Sequence, residues 1–325
     1  MKPISRRTLL AAAGGAALSP LAARAGTAFP ERPVHLVVPY APGGPTDIIA
    51  RALGEKLYEA WKQPVVVDNK PGAGSTIGAA AVARAAPDGL TLLFGASAHV
   101  MTPPLMPQLA YDPVRDFTPI FQAAFHPMVL VVHPSIPVTT VAELLARAKA
   151  KPGAVTVGSA GVGNASHLAL ALLANMAGAE FTHVPYNGSA PAQMAVMGGQ
   201  VEAAFLNSTT ATPQIHAGTL RGIGVASRAR WRELPDVPTI AEAGFPGYEV
   251  ISWYGVLGPA GLPPALLTKL HDDIRAALAR PEVREKIIAA GMDPMDVGPE
   301  PFRAAMTAEL ATWTELVRSA GIKAD

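Results

Sequence analysis

Apolar and polar positions change period along this chain, and the changes repeat. Val34-His35-Leu36-Val37-Val38 is a short β-branched run stopped by Pro39, and Thr46 to Trp61 sets Ile49, Leu53, Leu57 and Trp61 on one helical face. Val65-Val66-Val67 leads into a helical stretch from Ser75 to Ala86, and Thr91-Leu92-Leu93-Phe94 is a third strand. This beat predicts a parallel sheet with crossover helices. A second series starts at Val129-Leu130-Val131-Val132. It continues with Val155-Thr156-Val157 and a helix from Asn164 to Ala177, then Phe181-Thr182-His183-Val184 and a helix from Ala190 to Met197. Ala203-Ala204-Phe205-Leu206, ahead of a short helix, closes it. Two series predict an α/β chain with two doubly wound lobes.

The Pro/Gly-rich stretch from Val237 to Gly247, followed by the apolar Val250 to Leu257, returns the chain from the second lobe to the first. The expected division is residues 26–124 with 250–325 in one lobe and 125–249 in the other, joined by a hinge crossed twice. Near the end, Leu266, Leu267, Leu270, Ile274 and Leu278 share one helical face. Phe302, Met306, Leu310, Trp313 and Val317 share another, and both patterns predict packing helices.

Composition agrees with two well-filled cores. Half of the 325 residues are apolar and only 16% are charged, which excludes intrinsic disorder. The N-terminus is different in kind. Ser5-Arg6-Arg7-Thr8-Leu9-Leu10, an Ala/Gly-rich apolar stretch to Leu18 and Ala23-Arg24-Ala25 have the layout of an export signal over residues 1–25. The paired arginines resemble the twin-arginine type. The apolar run is too short to span a membrane, so the chain from Gly26 is expected to be exported and periplasmic. Once Lys2, Arg6, Arg7 and Arg24 are set aside, 22 basic residues remain against 25 acidic ones. That mildly acidic balance offers no footprint for nucleic acid. The absence of cysteine removes thiolate nucleophiles, zinc–thiolate sites and iron–sulfur clusters.

In open α/β sheets ligands bind beyond the carboxyl ends of strands, where helix N-termini gather. The first such loop is Tyr40-Ala41-Pro42-Gly43-Gly44-Pro45-Thr46-Asp47, whose glycines and Pro45 are expected to leave backbone N–H groups facing an anion. Asp47 suits a first-turn cap as well as a ligand contact. Asn69 to Gly78 is a second loop, with a G-x-G-x-x-x-G spacing that does not match a dinucleotide fingerprint. Gly95-Ala96-Ser97-Ala98-His99 is a third, in which His99 is either a ligand contact or a loop filler. In the second lobe, Gly158 to His167 brings together Ser159, Gly163, Asn164, Ser166 and His167 and is the richest candidate. Tyr186-Asn187-Gly188-Ser189 and Asn207-Ser208-Thr209 follow the next strands. No G-x-x-x-x-G-K-[ST], H-E-x-x-H or G-x-S-x-G is present, and the eight histidines lack zinc-ligand spacing. No cofactor or metal is expected. A triad of Ser159, His167 and Asp47, making an exported α/β hydrolase, remains an alternative.

At these loops the sequence resembles the Bug-type solute-binding proteins of tripartite tricarboxylate transporters. The resemblance is carried by Pro39-Tyr40-x-Pro42-Gly43-Gly44 with Asp47, Asn69-x-Pro71-Gly72-Ala73-Gly74 and Tyr111-Asp112-Pro113-Val114-Arg115-Asp116-Phe117. It continues with Ser159-x-Gly161-x-Gly163 with His167, Val184-Pro185-Tyr186, and Leu234-Pro235-Asp236-Val237-Pro238-Thr239 before Glu242-Ala243-Gly244. It implies a type II periplasmic binding protein-like fold, a monomer, that closes on a small carboxylate and delivers it to a membrane permease. A sensor presenting its closed form to a receptor is the alternative. The ligand contacts implied are Tyr40, Gly43, Gly44, Thr46 and Asp47 on one side, with Ser159, Gly163, Asn164, Ser166 and His167 on the other; Pro42, Ser97, His99, Tyr186 and Asn207 join the candidates by their place in the loops after strands. Leu206 and Asn187 depart from the family pattern, where an acid and a lysine are common. Both departures remove charge near the expected cleft and lean the ligand toward a less polar mono- or dicarboxylate, aromatic ones included.

Overall fold

The computed structural model describes residues 29–106 and 108–322. The expected export signal lies outside the described residues. The first lobe opens with β1 (Val34–Val38), α1 (Pro45–Trp61), β2 (Val65–Asn69), α2 (Thr76–Ala83), β3 (Thr91–Ala96) and the single turn α3 (Ala98–Met101). β1 pairs in parallel with both β2 and β3. The chain then enters β4 (Phe117–Val132), 16 residues long.

The second lobe follows with α4 (Val141–Ala150), β5 (Thr156–Ser159), α5 (Ala165–Ala177), β6 (Thr182–Pro185), α6 (Ser189–Met197), β7 (Ala203–Asn207), α7 (Ser208–His216) and β8 (Arg221–Val225). β9 (Ile251–Pro259) returns to the first lobe, followed by α8 (Pro264–Leu278), α9 (Pro281–Ala289), β10 (Asp293–Val297) and α10 (Pro299–Ala320).

The strands run in the order β2-β1-β3-β9-β4-β7-β5-β6, with β8 and β10 also on β4. The sheet is mixed rather than parallel, because β9 is antiparallel to β3 and β4, and β7 antiparallel to β4. β4 belongs to both halves. Its first part pairs with β9 and β10, and its last five residues pair with β7. Its pairing with β9 ends at Pro127↔Ile251, and the irregular register around Pro119 and Gln122 fits a strand that must bend and lose donors. The two chain crossings therefore lie side by side in β4 and β9.

Each lobe packs apolar residues on both faces of its half-sheet. α10 belongs to neither lobe alone. Phe302 and Met306 sit in the first lobe's core, whereas Trp313, Leu316 and Val317 join the cluster around α5 and β7. The last turns of α10 thus pack against the second lobe's core. Leu206 also differs from expectation: it is buried in the second lobe's core, so its apolar side chain serves packing and removes no charge from a cleft.

Candidate ligand-binding site

A cavity of about 540 Å³ lies between the lobes, where the carboxyl ends of strands in both halves meet helix starts. The first lobe lines it with Tyr40 and Thr46 at the start of α1, Gly74, the end of β3 from Ala96 to Ala98, and the segment Met101, Thr102, Leu105 and Met106. Ala160, Val162 to Ser166, Ser189 and Asn207 come from the second, and Ser252 and Tyr254 come from β9 at the crossing. No charged side chain lines it among the described residues.

Besides the single turn α3 after Ser97, three helices begin here without a side-chain cap: α1 after Gly44, α6 after Gly188 and α7 after Asn207. Their first-turn N–H groups have no intrahelical partner and carry the positive end of the helix dipole. α5 is different. Asn164 Oδ1 accepts from the N–H groups of Ser166 (3.0 Å) and His167 (3.2 Å), and from Ser166 Oγ at 2.6 Å. Ser166 Oγ in turn accepts from Ala160 N–H at 2.8 Å.

Of the residues expected to touch ligand, Tyr40, Thr46, Ser97, Gly163, Asn164, Ser166 and Asn207 line the cavity. The others do not, and each has a physical reason. The Asp47 carboxylate turns back on its own loop, accepting from Gly43 N–H (2.9 Å), Arg51 Nε (2.9 Å) and Asn69 Nδ2 (2.9 Å). Hydrogen bonding from Arg51 leads the influences that hold its pKa down to about 2. Gly43 N–H is therefore consumed, and Pro42 and Gly43 lie exposed outside the lining. Gly44 keeps an ordinary φ of −78 as the N-cap, and an added Cβ there would meet only the Ala41 carbonyl at 3.8 Å.

His99 points away from the cavity. Its Nε2 donates to the Pro113 carbonyl at 2.8 Å, and its ring packs edge-on to Phe117 at 4.5 Å. Burial lowers its pKa to about 4, so the ring is neutral. Ser159 is fully enclosed, with Oγ bonded to His183 Nε2 at 2.6 Å and accepting from Gly161 N–H at 3.2 Å. His167 Nδ1 accepts from Gly163 N–H at 3.0 Å, and its ring stacks on His183 at 3.9 Å. Desolvation first, and the neighbouring His183 second, lower the His167 pKa to about 4. Tyr186 packs into the second lobe's core, with its N–H on the Ser159 carbonyl at 2.9 Å. Ser159, His167 and Asp47 are each committed to loop contacts, so the geometry assembles no triad. These residues shape the loops that the cavity is built from.

Two features were not legible as site residues. One is Met101 to Met106, an apolar wall on short helical turns with no periodicity to read. The other is Tyr254, brought in by β9 with its hydroxyl 3.2 Å from His126 Nε2; the expected Tyr40 lines the cavity beside it, its hydroxyl meeting Ser75. Burial pushes the Tyr40 hydroxyl up to about 12, so it stays protonated. Beside it, Ala73 and Ser75 hold φ of +45 and +80, conformations that cost roughly 1–3 kcal/mol each in non-glycine residues and gather at ligand sites.

The sequence matches the model of the tripartite tricarboxylate transporter family receptor over residues 49–322. The chain belongs to this family. Its receptors and their structural neighbours are solute-binding proteins rather than enzymes, and this receptor is of the Bug type. Protein BugT of Bordetella pertussis is 35% identical over 297 residues, 91% of each chain. The solved structure of R. palustris Rpa4515 with adipate is 37% identical, covering 91% of this receptor and 99% of that chain with a TM-score of 0.73. MatC from Rhodopseudomonas palustris with bound malate is 33% identical, covering 89% and 100% with a TM-score of 0.70. The receptor thus has the two-lobed fold of periplasmic binding proteins. Among the described residues no helix is long and apolar enough to cross a membrane, and no cluster of His, Asp or Glu could hold a metal ion.

Proposed function

We propose that this receptor captures a small organic carboxylate between its lobes in the periplasm and hands it to the membrane permease of a tripartite tricarboxylate-type transporter. The observation that carries this reading is the meeting of three uncapped helix N-termini, those of α1, α6 and α7, at a cavity lined by no charged side chain. The ligand bound in R. palustris Rpa4515 and in MatC is in each case an organic acid, which supports the same chemistry here. Export by the signal in residues 1–25, and lobes divided as 26–124 with 250–325 and 125–249, belong to the same proposal.

The physics suffices without an arginine clamp. A micromolar complex is worth about 8.2 kcal/mol. Charge-assisted hydrogen bonds give roughly 1.5–3 kcal/mol each, and a partly buried helix N-terminus adds up to about 2 kcal/mol. One lobe's donors hold the carboxylate, the other completes the shell, and the difference in contacts shifts the hinge toward closure. The permease then reads the closed, monomeric form.

A thermal-shift panel of carboxylates, neutral sugars and metal ions tests the reading. A carboxylate at 100 times its Kd should stabilise the fold by about 2.7 kcal/mol. If sugars or metals raised the midpoint and no carboxylate did, the proposal would be wrong.

A further inference from the structure

We infer that the preferred ligand carries one carboxylate only, and that the rest of it is uncharged and apolar, seated against the wall of Met101, Leu105, Met106 and Val162. The inference rests on the carboxylate reading above and narrows it. Everything positive in the lining comes from backbone N–H groups and helix dipoles, which are fractional charges. The acid and base of the adjoining loop neutralise each other, Asp47 being paired with Arg51 at 2.9 Å. The histidines behind the second-lobe loop face each other and Ser159, and neither lines the cavity. A second carboxylate laid along the methionine–leucine wall would lose its water and gain no cation, and isolated charges are expensive to bury that way. A methyl or aryl end loses nothing there and gains apolar contact.

The wall is also where the lobes meet. Leu105 and Met101 belong to the same apolar cluster as Leu168 and Leu173 of α5, and a Cβ on Gly163 would overlap Leu105 Cδ1. The end of the ligand that reaches this wall is therefore read at the moment of closure, when water is excluded. Met106 is only partly buried on this wall, so its side chain can be changed with less cost to the core than Leu105.

A matched pair isolates the effect. Hexanoate and adipate have the same chain length and differ in whether the far end is a methyl or a carboxylate, and hexanamide lacks the anion altogether. Titration calorimetry at pH 7.5 should show hexanoate binding at least tenfold more tightly than adipate, with hexanamide at least tenfold weaker than hexanoate. Met106→Lys supplies the missing cation and should move the hexanoate-to-adipate ratio at least tenfold toward adipate. Wild-type affinity for adipate equal to or above that for hexanoate would overturn the inference while leaving the carboxylate reading intact. An unchanged ratio in a folded Met106→Lys variant would overturn it too. Hexanamide binding as tightly as hexanoate, or binding of neither acid in the presence of a responding neutral ligand, would overturn both.

Discussion

Gly163 is the position at which a single carbon atom should separate folding from closure. Its φ of +74 is left-handed, and its Cα faces Leu105 of the opposite lobe so closely that an added Cβ would overlap Leu105 Cδ1. Gly163→Ala therefore meets two costs. Left-handed strain of about 1–2 kcal/mol is present whether the lobes are open or closed, and it should lower Tm by a few degrees. The overlap arises only when the lobes meet, and overpacking of this kind costs about 1–3 kcal/mol. At 1.4 kcal/mol per decade that is roughly a 5- to 150-fold rise in Kd. Leu105→Val removes the offending δ carbons, so in that background the effect of Gly163→Ala on Kd should shrink at least threefold. Titration calorimetry on the wild type, both single variants and the double variant, with melting curves alongside, measures the cycle. A Kd for Gly163→Ala within twofold of wild type, or a penalty unchanged by Leu105→Val, would refute the view that these residues touch on closure.

Two further outcomes follow from buried or loop-bracing carboxyls. Glu309 on α10 accepts from Trp253 Nε1 at 3.0 Å, and burial raises its pKa to about 7. A raised folded pKa stabilises below the unfolded value of 4.5, and that stabilisation is lost as pH rises through 7. Glu309→Gln keeps an acceptor and should melt higher than wild type at pH 8 but not at pH 4.5, as read by calorimetric scans at both pH values. Asp47 has its pKa lowered to about 2, so its bracing is present above the unfolded pKa of 3.8 and is lost as pH falls toward 2. Asp47→Ala should cost about 1.5–3 kcal/mol from the lost charged hydrogen bonds and weaken ligand binding through the loosened Tyr40–Thr46 loop. Denaturant melts and titration calorimetry check the two effects separately.

Much of this architecture is local in origin and so is written in the sequence. Strand runs such as Val34–Val38, stopped by Pro39, and helical faces such as Ile49, Leu53, Leu57 and Trp61, lie within single elements. Their alternation makes two α/β lobes, and the loops after the strands lie where such sheets take ligands. The observed helices begin within a residue or two of the expected positions: α5 starts at Ala165 with Asn164 as its cap, and α2 at Thr76.

Which residues of each loop line the cavity was not legible from residue type. Asp, Ser, Asn and His suit caps and loop braces as readily as ligand contacts, because the same lone pairs serve both. Asp47 and Ser159 were claimed by Asn69 and His183, neighbours that only the fold supplies, whereas Arg51 and the Gly163 amide, each four residues away, brace Asp47 and His167 locally. His99 was taken by Pro113 and Phe117 in the same way. Only Val129 to Val132 of β4 reads as a strand, because Pro119, Gln122, His126 and Pro127 interrupt the rest, and nothing local says that one end pairs with β9 and the other with β7. Nor does the even stripe of α10 reveal that its two halves rest on different lobes. Periodicity within the chain determined which segments are strands and helices and which turns join them. The cavity depends on partners far apart in sequence, and only the folded arrangement brought Leu105 against Gly163 and left helix ends uncapped between two lobes.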